Sequence, residues 1–196
     1  MGSGLEFVAS DSRAGRPYFL FDGDDITAWD VASSEFGPFT AFLALDAGGH
    51  GDEALMALGK RLRTAGLTYV CTWGPGCERV HDLFDWLYVD EEQQGIELPF
   101  LMSTWHDGEP LKEALWFATD CAIPEDIRDV RYSPVVIGTD RDRWRDEIRM
   151  WLRDAEALRR SVVDEDDVTA AMRVQPRRLA HLARVLSVAR SRVRRR

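Results

Sequence analysis

The stretch FTAFLAL, residues Phe39–Leu45, is almost continuously apolar and decides the fold class of this chain. Three further short runs share its character: TYVCTW at Thr68–Trp73, PFLMSTW at Pro99–Trp105 and SPVVIG at Ser133–Gly138. Continuous apolar runs are typical of strands that are covered on both faces. The run YFLF at Tyr18–Phe21 predicts an additional edge strand or hairpin.

Apolar residues spaced three and four apart separate these runs and predict helices. The four sets are Leu55, Leu58, Leu62 and Ala65; Val80, Leu83, Phe84 and Leu87; Leu111, Ala114, Leu115 and Ala118; and Trp144, Ile148, Trp151, Leu152, Ala155 and Leu158. Alternating strands and helices imply right-handed βαβ units. We therefore expect an α/β fold: a three-layer, Rossmann-like, doubly wound and mostly parallel sheet of about four to five strands, with a C-terminal helical extension.

Charge divides the chain unevenly. Residues 173–196 hold nine arginines and no acid, which gives this segment a formal charge of +9. Because the net charge of the whole chain is −9, the remaining residues carry a charge of −18. We expect a flexible leader over 1–16, an acidic α/β domain over 17–161 and a basic helical tail over 162–196. The acidic run Asp164–Asp167 marks the linker. Such asymmetry is typical of an interaction tail, or of a tail that docks on its own body.

The sequence argues against a membrane-spanning protein and against a secreted, disulfide-stabilised one. No run approaches the roughly 18 uncharged apolar residues of a membrane helix, and the first residues lack the pattern of a signal peptide. Three cysteines suggest no disulfide framework, which favours a reducing cytoplasm. We expect no membrane span and no cofactor.

Polar residues gather where the predicted strands end. They supply the candidate catalytic residues of a hydrolase: Asp46, His50, Cys77, His81, His106 and Asp107. Ligands of doubly wound sheets bind beyond the carboxyl ends of the strands. Ordinary turn chemistry accounts for the same residue types, because glycine, proline and aspartate are common in strand-to-helix loops.

Acids at the predicted helix starts argue against a phosphate or dinucleotide site. Asp52 and Glu53, Glu78, Glu109 and Asp140 are expected to cap the four helices and to complement their dipoles. A phosphate needs an unblocked helix N-terminus, and the glycines of Gly48–Gly51 match neither GxGxxG nor a P-loop.

Cys71, Cys77 and His81 are the candidate zinc ligands, with His50, His106 or Cys121 as a fourth. Cys77 and His81 are four residues apart and would share one helix face. A cysteine in the first turn of a helix also has a lowered pKa, so Cys77 with His81 as its base is a candidate nucleophile. A buried structural thiol is the alternative for Cys71.

Two stretches of the body resemble known families. Asp22-Gly23-Asp24 resembles the DxD motif of haloacid-dehalogenase-type phosphatases, which would recruit Thr104 and Lys112, although Ile26 stands where threonine is expected. The segment WHDGEPLKEALWF, residues 105–117, resembles uncharacterised bacterial small α/β domains. That resemblance implies the fold and no activity.

The tail segment Asp167–Leu179 loosely resembles a bacterial helix-turn-helix, with Arg173 and Gln175 departing from the usual glycine and serine. The resemblance implies that Arg177, Arg178 and His181 face the major groove and that the arginines from Arg190 to Arg196 reach phosphates. Alternatively, the apolar face of Leu179, Leu182 and Leu186 binds a protein partner or a second copy.

Charge and fold together favour a non-enzymatic protein-interaction module, of the kind that serves as a bacterial accessory or immunity-type factor. Its partner would bind the acidic body, the amphipathic tail, or both. The alternatives are a DNA-binding protein that uses the tail, and a hydrolase with its site at the strand ends.

Overall fold

The computed structural model describes residues 4–21, 23–31, 36–124 and 127–162. The chain divides into two compact units, residues 1–158 and 159–196. Six strands are found: β1 (Leu5–Ser10), β2 (Pro17–Phe21), β3 (Phe39–Ala44), β4 (Leu67–Trp73), β5 (Met102–His106) and β6 (Val135–Thr139). The described helices are α1 (Asp52–Thr64), α2 (Cys77–Gln94), α3 (Leu111–Trp116), α4 (Asp142–Arg153) and α5 (Ala155–Val162).

The sheet is mixed and has the order β1-β2-β6-β3-β4-β5. Every pair is parallel except β1 with β2, which form an antiparallel hairpin. The α/β class is confirmed, with one strand more than expected. The extra strand is β1, so the expectation of a flexible leader is wrong for residues 5–10. These residues pair with β2 along its whole length, which gives their backbone groups partners that a leader would lack.

Helices cover both faces of the sheet. On one face α1 packs against α2, and their apolar side chains join Ala41, Leu43 and Val70 in the core. On the other face α3 contacts α4. Because both faces are covered, β3 and β6 are buried at every position, which explains their continuous apolar sequences.

The segment between β2 and β3 packs on the face that carries α1. Trp29 is fully buried and stacks on Phe21, with 5.2 Å between the ring centroids. Arg61 of α1 donates to the backbone carbonyls of Ile26 and Trp29. Gly138 in β6 lies directly against the Trp29 ring, where a Cβ would overlap the indole.

Several helix boundaries differ from the expected ones. The long helix expected from Trp144 to Leu158 is interrupted at Asp154, which separates α4 from α5. The third helix begins at Leu111 and continues as a π-helical turn over Phe117–Cys121. In the part of the chain that the structure describes, no helix is long and apolar enough to span a bilayer.

The expected acidic caps are only partly present. Asp52, Glu53 and Glu78 lie in the first turns of α1 and α2, whose N-caps are the glycines Gly51 and Gly76. The expectation is wrong for Glu109 and Asp140, which precede their helices and bind histidines instead. The acids therefore complement the helix dipoles of α1 and α2 without hydrogen-bonded capping.

Arg16 is a buried cation at the start of β2, and burial lowers the pKa of its guanidinium. Its nitrogens donate to the Thr40 hydroxyl at 2.7 Å and to four peptide carbonyls, those of Ala118, Thr119, Ala122 and Ser133. Three of those carbonyls belong to the π-helical turn or the residue after it, where helix carbonyls need donors. Arg16 therefore fastens the β1–β2 hairpin to the end of α3.

Candidate functional site

The crevice between the carboxyl ends of β3 and β6 is where a ligand of an open α/β sheet would bind. These strands are neighbours, and they lead into α1 and α4 on opposite faces of the sheet. Connections that diverge in this way leave a crevice between the strands that they follow. Asp46 follows β3 and Asp140 follows β6, so both acids lie at this edge of the sheet, where the sequence predicted Asp46.

The polar groups of this crevice bind one another. His50 Nε2 lies 2.7 Å from Asp140 Oδ2, and the Asp46 N–H donates to both Asp140 oxygens at 3.2 Å. The Asp46 carboxylate pairs with Arg141 and accepts the Gly48 N–H at 3.2 Å. These contacts join the two loops across the crevice and occupy the groups that a substrate would need.

Arg79 of α2 holds the loop after β3 from its other side. Its guanidinium donates to the carbonyls of Ala47 at 2.7 Å and His50 at 3.0 Å, and it pairs with Asp52. The loop is therefore tied to α2 by Arg79 and to the loop after β6 by Arg141. This arrangement is typical of a structural connection.

The remaining rim residues lie beside β5. His106 is buried, with Nδ1 2.9 Å from Glu109 Oε2 and Nε2 3.2 Å from Thr104 Oγ1. Burial raises the pKa of the Cys77 thiol, and a hydrogen bond from the His106 backbone opposes that effect only in part. Asp107 is exposed. A buried thiol with a raised pKa is a poor nucleophile at neutral pH.

His81 takes part in a cluster that the sequence did not predict. Its Nε2 lies 3.1 Å from Ser103 Oγ, and its Nδ1 lies 3.2 Å from Asp82 Oδ1. This is the order of a serine–histidine–carboxylate triad. The Ser103 hydroxyl, however, donates to Asp85, and the His81 ring lies against Trp105 with 4.6 Å between centroids. The cluster therefore fastens α2 to β5. Alternation along PFLMSTW, which puts Ser103 and Trp105 on one face, is the signal that locates it.

The candidate zinc ligands do not come together. Within residues 4–21, 23–31, 36–124 and 127–162, no group of three or more histidine, cysteine or acidic side chains is placed to hold a metal ion. Val70 packs in the core with α1 and α2, so Cys71 next to it points to the opposite face of the sheet. The sheet thus separates Cys71 from His81, and burial raises the pKa of Cys71 to about 12.

The phosphatase arrangement is not assembled either. Asp22 lies outside the described residues, and Asp24, which follows β2, is exposed. Thr104 lies in β5, and three strands stand between β2 and β5. Four strand spacings of about 4.8 Å put the two positions roughly 19 Å apart. The candidate tail residues Arg177, Arg178, Leu179, His181, Leu182, Leu186 and Arg190 also lie outside the described residues.

A second candidate surface lies at the β5 edge of the sheet. Residues 80–111, which span most of α2, the following loop and β5, contain eight acids and no lysine or arginine. Four of the large apolar side chains that are exposed in the described residues belong to this stretch: Trp86, Val89, Ile96 and Phe100. We call residues 80–111 the acidic edge.

The centre of the acidic edge is the outer face of α2. Trp86 is 71% exposed, and the side chain of Asp82, one turn before it, is 67% exposed. On the inner face of the same helix Val80, Phe84 and Leu87 are buried. Trp86 was not among the predicted functional residues, because apolar residues of an amphipathic helix are first assigned to the core. The helical wheel nevertheless places Trp86 away from the buried positions.

The chain matches the profile of a known protein family. The profile of a family described as a domain of unknown function, DUF7684, matches residues 22–155. The chain belongs to the DUF7684 family. No curated protein and no solved structure matches it significantly.

The DUF7684 region contains both surfaces described above. It begins directly after β2 and ends at the start of α5, so it includes the crevice between β3 and β6 and the whole acidic edge. The β1–β2 hairpin precedes it. The family assignment names no activity.

Proposed function

We propose that this protein is a non-enzymatic interaction module that binds a cationic partner protein through its acidic edge. The observation that carries the proposal is the coincidence of acidic and exposed apolar residues within residues 80–111. This stretch has eight acids, of which Glu91 is buried against Arg63, no lysine or arginine, and the exposed side chains of Trp86, Val89, Ile96 and Phe100. Exposed aromatic side chains surrounded by charge are typical of protein-binding surfaces.

The charge of this surface favours one class of partner. Carboxylates repel nucleic acid phosphates and anionic lipid surfaces, and they attract lysine and arginine. Apolar side chains next to the carboxylates favour a protein segment that carries both positive charge and apolar residues. A basic protein partner is therefore favoured, as for an accessory or immunity-type factor. The three cysteines are free thiols, which supports a reducing cytoplasm as the compartment.

The hydrolase alternative receives less support. Asp46 is paired with Arg141 and His50 with Asp140. His106 is bonded to Glu109, and Cys77 has a raised pKa. The candidate residues thus lie in separate clusters whose polar groups bind one another, and no reaction step can be written from their geometry.

A charge-reversal experiment tests the proposal. The probe is a soluble synthetic peptide that contains arginine, lysine and leucine, and its affinity for the full chain is measured by titration calorimetry. In the variant Asp82→Lys/Glu97→Lys we expect the affinity to fall by about tenfold or more, because each close charge pair across an interface contributes on the order of 1 kcal/mol. Removing apolar contact with Trp86→Ala should weaken binding by a similar factor.

Matched substitutions on other surfaces serve as controls. Asp146→Lys reverses an exposed acid in the middle of α4, and Tyr132→Ala removes an aromatic side chain that is 73% exposed. Both should bind the peptide as the unmodified chain does, with circular dichroism showing that every variant is folded. Equal affinities for the edge variants and the controls would refute the proposal, as would an absence of binding to the unmodified chain.

A further inference from the structure

The outer face of α2 has a specific order of side chains that indicates which residue of a partner it binds. This inference rests on the function proposed above. Asp82, Trp86 and Asp90 are spaced i, i+4 and i+8, so each lies one turn from the next on the same side of the helix. Neighbours at this spacing have Cβ atoms about 5–6 Å apart. The indole of Trp86 is therefore flanked by a carboxylate on each side.

Both carboxylates keep an oxygen that is not used within the described residues. Asp82 contacts His81 through Oδ1, at 3.2 Å from Nδ1, which leaves Oδ2. Asp90 accepts the Gln94 side-chain amide through Oδ2 at 2.7 Å, which leaves Oδ1. These contacts also restrain the two side chains, so part of the ordering cost of binding is already met.

We infer that the partner's anchor is an arginine, which stacks its guanidinium on Trp86 between Asp82 and Asp90. A guanidinium is planar, weakly hydrated and able to donate to carboxylates in a fork while its face lies on an indole. A lysine ammonium is a compact, strongly hydrated charge that meets the carboxylates but stacks poorly. The same surface thus binds arginine in preference to lysine at equal peptide charge.

The test compares two synthetic peptides that differ only in their cations. One carries several arginines and leucines spaced by glycine and serine, and the other has lysine at every arginine position. We expect the full chain to bind the arginine peptide about three- to tenfold more tightly at physiological ionic strength. The variant Trp86→Leu keeps an apolar side chain and removes the aromatic face, so this preference should disappear.

Two further variants distinguish the contribution of stacking on Trp86 from the contribution of charge. Tyr132→Leu removes an exposed aromatic side chain elsewhere and should keep the arginine preference. Asp82→Asn/Asp90→Asn should weaken both peptides and reduce the preference, because the fork loses its acceptors. If neither peptide binds the unmodified chain, the proposed function fails. If both bind equally, or if Trp86→Leu keeps the preference, the function stands and the arginine anchor is refuted.

Discussion

His50 and Asp140 lie 90 positions apart in the chain, and 2.7 Å separates His50 Nε2 from Asp140 Oδ2. Their contact joins the loop after β3 to the loop after β6, on the two sides of the crevice where an open α/β sheet would bind a ligand. The same carboxylate accepts the Asp46 N–H. The Asp140 side chain thus occupies the place where this fold leaves room for a ligand.

The first prediction follows from that contact. Asp140→Ala leaves the His50 ring and the Asp46 N–H without their acceptor in a partly buried site, so the free energy of unfolding should fall by about 1–3 kcal/mol. Urea denaturation measures the change. Asp30→Ala, which removes an exposed carboxylate, is the control and should leave the stability nearly unchanged. Equal stability of Asp140→Ala and the control would show that the contact contributes little.

The second prediction concerns alkaline pH. Burial raises the pKa of Cys71 from 9.0 to about 12, so the folded chain keeps a proton that the unfolded chain releases near pH 9. Stability from this group is complete below pH 9 and is lost as the pH rises from 9 towards 12, with a slope that approaches about 1.4 kcal/mol per pH unit. Cys71→Ala should flatten this decline in denaturation curves measured from pH 8 to 11.

The control for that experiment is Met150→Ala, because Met150 is exposed and does not titrate. It should keep the full alkaline decline. A Cys71→Ala profile parallel to that of the control would mean that other groups cause the loss of stability.

The third prediction concerns the contact of Gly138 with Trp29. A methyl group at position 138 overlaps the buried indole, and Gly138→Ala should lower the free energy of unfolding by about 1–3 kcal/mol. Gly49→Ala, where a Cβ meets nothing within 4 Å, is the matched control. Shortening the indole in Gly138→Ala/Trp29→Leu should make the two substitutions non-additive, and additive losses would contradict the overlap.

The fourth prediction tests DNA binding by the basic segment 173–196, which lies outside the described residues. Nine arginines in this segment predict an affinity for duplex DNA that falls steeply with salt, by about 0.9 logarithmic units per phosphate contact for each tenfold rise in salt. Deleting residues 163–196 should then abolish binding in fluorescence anisotropy. Binding that survives the deletion, or that does not change with salt, would eliminate this alternative.

Much of the fold could be predicted because buried strands and helices carry strong apolar patterns. The observed strand β3 differs from the predicted run Phe39–Leu45 by one residue, since both faces of that strand are covered. β1 was missed because Leu5–Ser10 contains two polar residues among six, has no fully buried position and follows a glycine- and serine-rich start. Its existence depends on pairing with β2, which is a tertiary contact.

The candidate site was less predictable for the same physical reason. Strand ends locate Asp46 and His50 correctly, but the side chains that contact them, Arg141 and Asp140, follow a strand far away in sequence. The exposure of Trp86 was equally difficult to predict, because an aromatic residue in an amphipathic helix is first assigned to the core. Only the packing of α2 shows which of its apolar residues face outwards.

Arg16 has a consequence for where this domain physically begins. The family match starts at residue 22, yet Arg16 supplies the donors for four peptide carbonyls that belong to residues 118–133. A fragment cut at the family boundary would lose the guanidinium that donates to those oxygens, although the Ala122 carbonyl would keep the Thr40 hydroxyl as a donor, and each buried acceptor left unpaired destabilises the fold. The segment that similarity recognises is thus shorter than the compact unit of residues 1–158, and the β1–β2 hairpin ahead of it is a structural part of that unit.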